Sequence, residues 1–369
     1  MKIGILTYHN AINYGAVLQA YALQQVLQGM GMDCEIVNYS SPAVDKQYRR
    51  KKLSDHAHWK TYVMDILSAH RLDRKKAEFR AFLESHCILS EKVEDVRQND
   101  WDPYDVLIVG SDQVFNPKNT EGDSAYLLDF PCDTQKIAYA ASIGDNSFLN
   151  LWKEQYQVDY QSLLREFDAL SFREEMAAKF VSELLQDSFA TVLDPVLLAG
   201  TNVWEKFRGD PEEEYIFVYN LGNIPLLAEG VKRISKETGL KVYVVNKDIK
   251  GDFILRGFEN ASSLSPVDFL KMLSGAKYVI TDSFHGTAFS ILYHKNFTSV
   301  VNPQKVNTNS RIVDLLTRVH LEDRIASTSE AFKFDPVLTY CEVDKEITKM
   351  QESSAAWLHG VLHSTEGKK

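Results

Sequence analysis

The sequence predicts an α/β protein built from two doubly wound halves. Three observations carry this. The 369 residues exceed the ~250–300 over which a single hydrophobic core grows before a chain divides. Short β-rich runs alternate with helical periods almost throughout, the pattern of parallel sheets covered by helices. Apolar residues make up 44% and charged residues 25%, which is globular composition and excludes a disordered or fibrous chain.

The first unit is the plainest. Residues 2–8 read as a strand and 9–15 as a polar turn. Residues 16–29 then form a helix, with Val17, Leu18, Tyr21, Ala22, Leu23, Val26 and Leu27 close to a 3.6 period. Gly29-Met30-Gly31 stops the helix, and residues 34–39 return as a second strand, completing a βαβ unit. Residues 42 to about 100 interrupt this rhythm with long polar helical patterns. Strands resume at 105–110, 136–141, 169–172 and 190–193, and the polar stretch 200–211 marks a boundary. Beyond it, strands are expected at 215–220, 241–245, 278–281 and 298–301. A helix runs from the turn Leu221-Gly222-Asn223 to about Lys236, and Ser265 and Pro266 open another as cap and first-turn proline. Residues 287–293 are a further helix, and 343–362 an amphipathic one. The expected domains are therefore 1–205 with a helical insertion at about 42–100, then 206–342, then a helix and tail at 343–369. The chain has no internal repeat and no low-complexity tract.

Charge narrows the partners. The net charge is −10, from 51 acids against 41 bases, so nucleic acid is not expected. Within residues 46–80, however, 11 Lys/Arg stand against four Asp/Glu, leaving +7 there and −17 elsewhere. That asymmetry reads either as a surface for anionic partners (phospholipid headgroups, a lipid-diphosphate sugar, a nucleotide) or as a solvated helix face. No apolar run reaches the ~18–20 residues of a membrane helix, and the opening strand is too short in its apolar stretch for a signal peptide. Cys34, Cys87, Cys132 and Cys341 are scattered without a CxxC pair, as expected of free thiols in a reducing compartment. The expectation is a cytoplasmic protein, touching the inner face of a membrane where the basic insertion docks.

In open α/β sheets ligands bind outside the carboxyl ends of the strands, here in a crevice between the two halves. Each strand-exit loop is thus a candidate. Asn13-Tyr14-Gly15 opens toward a helix N-terminus, where backbone amides stabilise an anion; the alternative is a plain tight turn, and no GxGxxG fingerprint accompanies it. Gly110-Ser111-Asp112 follows the apolar run 106–109 with small residues that admit close approach. Asp112 is there as a base or as the cap of the following turn. Arg173 ends another strand, a fixed cation for carboxylate or phosphate, or else an ion-pair partner of a neighbouring Glu. Asp282-Ser283-Phe284-His285-Gly286-Thr287 leaves an apolar strand and enters an apolar helix. His285 sits near the helix start, where the dipole disfavours imidazolium and leaves a group suited to acid–base work near neutral pH. Arg311 begins the next helix and is placed to face the same crevice. Asp100-Trp101-Asp102 is of metal-binding type but precedes a strand, so no metal is expected.

Together these segments resemble the polysaccharide pyruvyl transferase family. The resemblance lies in Gly4-Ile5-Leu6-Thr7-Tyr8 with the stretch from Asn13 to Leu23, in Val109 to Pro117, in Ser171-Phe172-Arg173, in Leu193-Asp194-Pro195 and in Thr281 to Thr287, in that order over residues 1 to about 320. It implies a fold of two Rossmann-like domains (GT-B). It also implies transfer of the pyruvyl group of phosphoenolpyruvate onto two hydroxyls of a nucleotide- or lipid-linked sugar in surface polysaccharide synthesis, with no cofactor. By resemblance Arg173 binds the donor's anionic groups, and His285 is acid/base at the donor. Where many members carry an arginine two residues before that histidine, this chain has Ser283, and Arg311 is the candidate to supply the missing charge. The alternatives are a glycosyltransferase of the same fold using a nucleotide sugar, and a non-catalytic glycan-assembly scaffold.

Overall fold

A computed structural model describes residues 1–48, 59–144, 151–302, 306–334 and 339–364. The chain divides into two compact units. The first is Met1–Tyr48, Leu83–Val203 and Lys345–Lys369, the second Arg49–Phe82 and Trp204–Asp344.

The first unit holds a seven-stranded sheet. Its strands are β1 (Lys2–Leu6), β2 (Asp33–Asn38), β3 (Leu89–Lys92), β4 (Val106–Val109), β5 (Gln135–Ala141), β6 (Ala169–Phe172) and β7 (Ala190–Thr191), in the order β3-β2-β1-β4-β5-β6-β7 and parallel at every pairing. β4 is Val-Leu-Ile-Val, buried at every position, because a strand covered on both faces has no use for alternation. Helix α1 (Tyr14–Gly29) is apolar nearly all round for the same reason: it lies inside, with Val17, Leu18, Leu23 and Leu27 fully buried. Each such side chain contributes ~1.5–3 kcal/mol. Asn13 caps it, Oδ1 accepting from Gly15 N at 2.9 Å, so the helix starts two residues before the expected position.

The second unit repeats the plan with β8 (Tyr215–Asn220), β9 (Lys241–Asn246), β10 (Glu259–Asn260), β11 (Tyr278–Thr281), β12 (Asn296–Val300) and β13 (Ile325–Ala326), in the order β10-β9-β8-β11-β12-β13 and again all parallel. Two doubly wound parallel sheets are thus the architecture of the chain. Edge strands β3, β10 and β13 were not expected from the sequence. β3 lies inside the insertion, where only helix was expected: Leu-Ser-Glu-Lys has no apolar alternation because it is a half-exposed edge.

Several helices bear on the strand ends and the insertion. Helix α2 (Trp59–His86) is the longest element of the insertion, which also holds a short helix over Pro42–Tyr48 and strand β3. α3 (Pro225–Thr238) follows β8, α4 (Phe284–Leu292) follows β11, and α5 (Val306–Arg318) lies beside α4. A last helix, α6 (Cys341–His363), returns to the first unit: Ser354 Oγ accepts from Leu193 N at 2.9 Å, and Gln351 donates to Leu197 O at 2.7 Å. No helix among the described residues is long and apolar enough to cross a membrane.

Candidate active site

Each sheet reverses its strand order once, between β1 and β4 in the first and between β8 and β11 in the second. Such switch points open a cleft at the carboxyl ends of the strands. Most of the loops expected to carry chemistry lie at these two places.

At the first switch point, Asn13, Tyr14 and Gly15 leave β1, and Gly110, Ser111 and Asp112 leave β4. Gly110 has φ +119°, and a side chain there would collide with Tyr139 O of β5, so its close approach is to the chain's own backbone. Ser111 is fully buried. Its Oγ donates to Asp194 Oδ2 at 2.8 Å, and its N–H donates to Gln19 Oε1 at 3.0 Å. Gln19 in turn donates to Thr7 Oγ1 at 2.8 Å. The resembling motifs of the first unit are therefore knitted into one buried polar network behind the strand ends.

Arg173, after β6, is the cation of that network. Its side chain is 2% exposed, with Nη1 2.7 Å from Asp194 Oδ2, Nε 3.7 Å from Glu174 Oε2 and Nη2 3.9 Å from Asp112 Oδ1. Burial opposes its charge, yet attraction to Asp194, Glu174 and Asp112 outweighs that and holds its pKa above the usual range. Arg173 is thus engaged by the chain's own carboxylates, and the ion pair with the neighbouring Glu is present. An external anion reaching it has to displace Asp112, the most exposed of the three at 14%. Asp112 Oδ1 also accepts from the adjacent Gln113 N at 2.9 Å. Sequence reasoning missed Gln19 and the central place of Asp194, which by residue type is only a strand-terminating turn. It is in fact the cap of the next helical turn, Oδ1 accepting from Val196 N at 2.9 Å. His9, for which the sequence offers no partner, is fully buried with Nδ1 3.2 Å from Thr7 O and Nε2 3.4 Å from Asn38 Oδ1.

At the second switch point Ser283 is the cap of α4, its Oγ accepting from Gly286 N at 3.3 Å. The helix consequently begins at Phe284, where the sequence predicts loop over 282–286, and His285 belongs to its first turn, 8% exposed and edge-on to Phe284. Thr281 Oγ1 donates to Tyr219 O at 2.9 Å and accepts from Ser283 N at 3.0 Å, with no room for a side chain on Gly286 beside it. Asp282, which the sequence does not single out, accepts from Leu221 N and Gly222 N; burial pushes its carboxyl up to about 6. Arg311 lies within α5 and does not begin it. The structure thus gathers Gly110, Ser111, Asp112 and Arg173 in one unit and Ser283 and His285 in the other.

Residues 13–303 match the polysaccharide pyruvyl transferase family. The chain belongs to that family. No curated protein is a significant match to the sequence. Among solved structures, this pyruvyl transferase family member is similar to a putative UDP-N-acetylglucosamine 2-epimerase from Listeria monocytogenes (11% identity, 100% of this chain and 97% of that one, TM-score 0.49). It is similar also to the UDP-GlcNAc 2-epimerase from Neisseria meningitidis bound to UDP-GlcNAc (9%, 98% and 99%, 0.48), and to the spinosyn rhamnosyltransferase SpnG (11%, 99% and 100%, 0.45).

The basic insertion is in part neutralised by carboxylates elsewhere in the chain. Arg71 pairs with Asp252 and Lys46 with Glu121, and burial with the neighbouring Arg71 lowers Lys75 to about 8. Arg49, Arg50, Lys51 and Lys52, its densest run, lie outside the described residues. Among the described residues no cluster of His, Cys, Asp or Glu is arranged to hold a metal ion.

Proposed function

We propose that this protein transfers the pyruvyl group of phosphoenolpyruvate to two hydroxyls of a nucleotide- or lipid-linked sugar, in the cytoplasm, during surface polysaccharide assembly. The observation that carries this is the family match over residues 13–303, within which the loops after β1, β4 and β11 lie at switch points. No cofactor or metal is invoked. The methylene carbon of the donor takes a proton, which makes C2 electrophilic, and a sugar hydroxyl adds there. A second hydroxyl then displaces phosphate, and the two hydroxyl protons balance the carbon protonation and the leaving group. His285, on the first turn of α4, is assigned the acid–base role, worth ~10²–10⁴ in rate. Asp112 is assigned the acceptor hydroxyl as base. Ser283 and the α4 amides receive donor anion, with Arg311 supplying the cation that the family's usual arginine would bring. Asn13, Tyr14 and Gly15 with Gly110 and Ser111 shape the other loop pair, and Arg173 acts through Asp112 and Asp194. The basic insertion is assigned a peripheral contact with anionic lipid.

The test is phosphate release from phosphoenolpyruvate with a panel of sugar acceptors, with and without EDTA, and mass spectrometry for the ketal. Release that survives EDTA, yields a ketal and vanishes in His285→Ala supports the proposal. Ser283 in the place of the usual arginine favours a second reading, a nucleotide-sugar glycosyltransferase; no release and no stabilisation by phosphoenolpyruvate across the panel would put that reading first.

A further inference from the structure

The proposed reaction assigns no part to Asp282. Its carboxylate faces the exit loop of the adjacent strand: Oδ1 accepts from Leu221 N at 2.7 Å and Oδ2 from Gly222 N at 2.5 Å. The next amide, Asn223 N, donates to Asn220 Oδ1 at 3.1 Å, and Asn220 is itself tied to Asn246 Oδ1 at 2.8 Å. Successive amides after β8 are thus each held by a side chain, the first two by one carboxylate. The fit is close, since a Cβ on Gly222 would lie 2.7 Å from Asp282 Oδ2. On its other side Asp282 leads directly into Ser283, the cap of α4, and His285, on its first turn.

Asp282 is half-buried, and the Gly222 amide that it holds is at the surface. Burial raises its pKa to about 6 although both amides and the charge of Lys247 favour ionisation. Lys247 faces it from the turn after β9, α3 has no acidic residue in its first turn, and α4 brings His285 as the titratable group. A carboxylate that joins two strand-exit loops at a switch point stands where a ligand of the sheet would be met.

We propose that Asp282 is a positioning residue, whose carboxylate grips the Leu221 and Gly222 amides and so holds the β8 exit loop against the turn bearing Ser283 and His285. Both sides of the switch point then meet a substrate in one arrangement. The kinetic consequence rests on the pyruvyl transfer proposed above; the clamp itself rests on the amide geometry alone. Protonation removes the charge and turns one oxygen into a hydroxyl, a weaker acceptor than a carboxylate oxygen, so the grip on the loop loosens and transfer declines as pH falls through about 6.

The test compares wild type, Asp282→Asn and Gly222→Ala by site-resolved amide exchange and by pyruvyl-transfer kinetics on both sides of that pH. In the wild type the Leu221 and Gly222 amides should be protected above it and lose about tenfold protection below it, after correction for intrinsic exchange. Gly222→Ala should lack that protection at every pH; Asp282→Asn, which keeps one acceptor oxygen, should lose it at one or both amides and show no change with pH, while the β8 amides keep theirs, which shows the sheet intact. Their kcat should fall about tenfold or more, and the acidic limb should disappear from Asp282→Asn. Unchanged protection of the two amides in Asp282→Asn overturns the clamp. Wild-type rates with the same acidic limb in that variant overturn the positioning role. If the wild type itself transfers no pyruvyl group to any acceptor, the proposed function falls instead, and the exchange data alone decide the clamp.

Discussion

Replacing Arg173 by Met would leave Asp194 and Glu174 buried without their cation, and Asp112 half so. Removing one partner of a buried ion pair typically costs 3–5 kcal/mol. Urea unfolding should therefore show a loss of about that size, where a residue kept only to hold ligand would leave the midpoint in place. Arg173→Lys should recover little, because an ammonium does not reproduce the fork that spans Asp194, Glu174 and Asp112. His285 is the opposite case. It is packed at a helix start beside Phe284, and His285→Ala should lower pyruvyl transfer by ~10²–10⁴ with a smaller loss of stability than Arg173→Met. Measured side by side, the two variants separate a residue that builds the site from one that acts in it.

Among the elements, the turn from β11 into α4 shows how much was written in local sequence. The strand exit, the apolar helix and the place of His285 were legible because an apolar β-rich run, a glycine and an apolar helical run stand in sequence. That Ser283 starts the helix early was not, since a serine before Phe-His-Gly is equally a loop residue until its Oγ meets Gly286 N. Gly286 is required for a reason that only the fold supplies: Thr281 Oγ1, fixed by Tyr219 O and Ser283 N, occupies the space of a side chain. Gly286→Ala should accordingly destabilise the second unit by ~1–3 kcal/mol, read by denaturant melts, and should reduce transfer by tilting the first turn of α4. The buried network around Arg173 was illegible for a related reason. Gln19, Ser111, Arg173 and Asp194 are far apart in the chain, and polar residue types alone do not tell a solvated loop from an internal hydrogen-bonded layer. The edge strands escaped because pairing on one side leaves no hydrophobic period to read.

At the scale of the whole molecule, ligand response separates the readings. Phosphoenolpyruvate at about 100 times its Kd should add roughly 2.7 kcal/mol to the stability of a pyruvyl transferase, whereas a panel of nucleotide sugars should do so alone if the glycosyltransferase reading holds; thermal melts with each ligand decide. A second expectation concerns α6, which supplies Leu358 and Leu362, both fully buried, and packs Trp357 against Tyr139. Truncation before Lys345 should loosen the amides of β5 and β7 in hydrogen exchange and leave those of β8 and β11 protected. Loss of protection confined to the second unit would contradict the pairing of α6 with the first.

That return of the chain bears on how the protein is made. On the ribosome, residues 204–344 emerge between the bulk of the first unit and the helix that covers it, so the second sheet has its whole complement of strands while the first still lacks α6. Translation is slow relative to domain folding. The nascent chain therefore carries a first unit with Tyr139 and Leu193 uncovered for as long as the second takes to be synthesised, and that interval is when chaperones would be needed most.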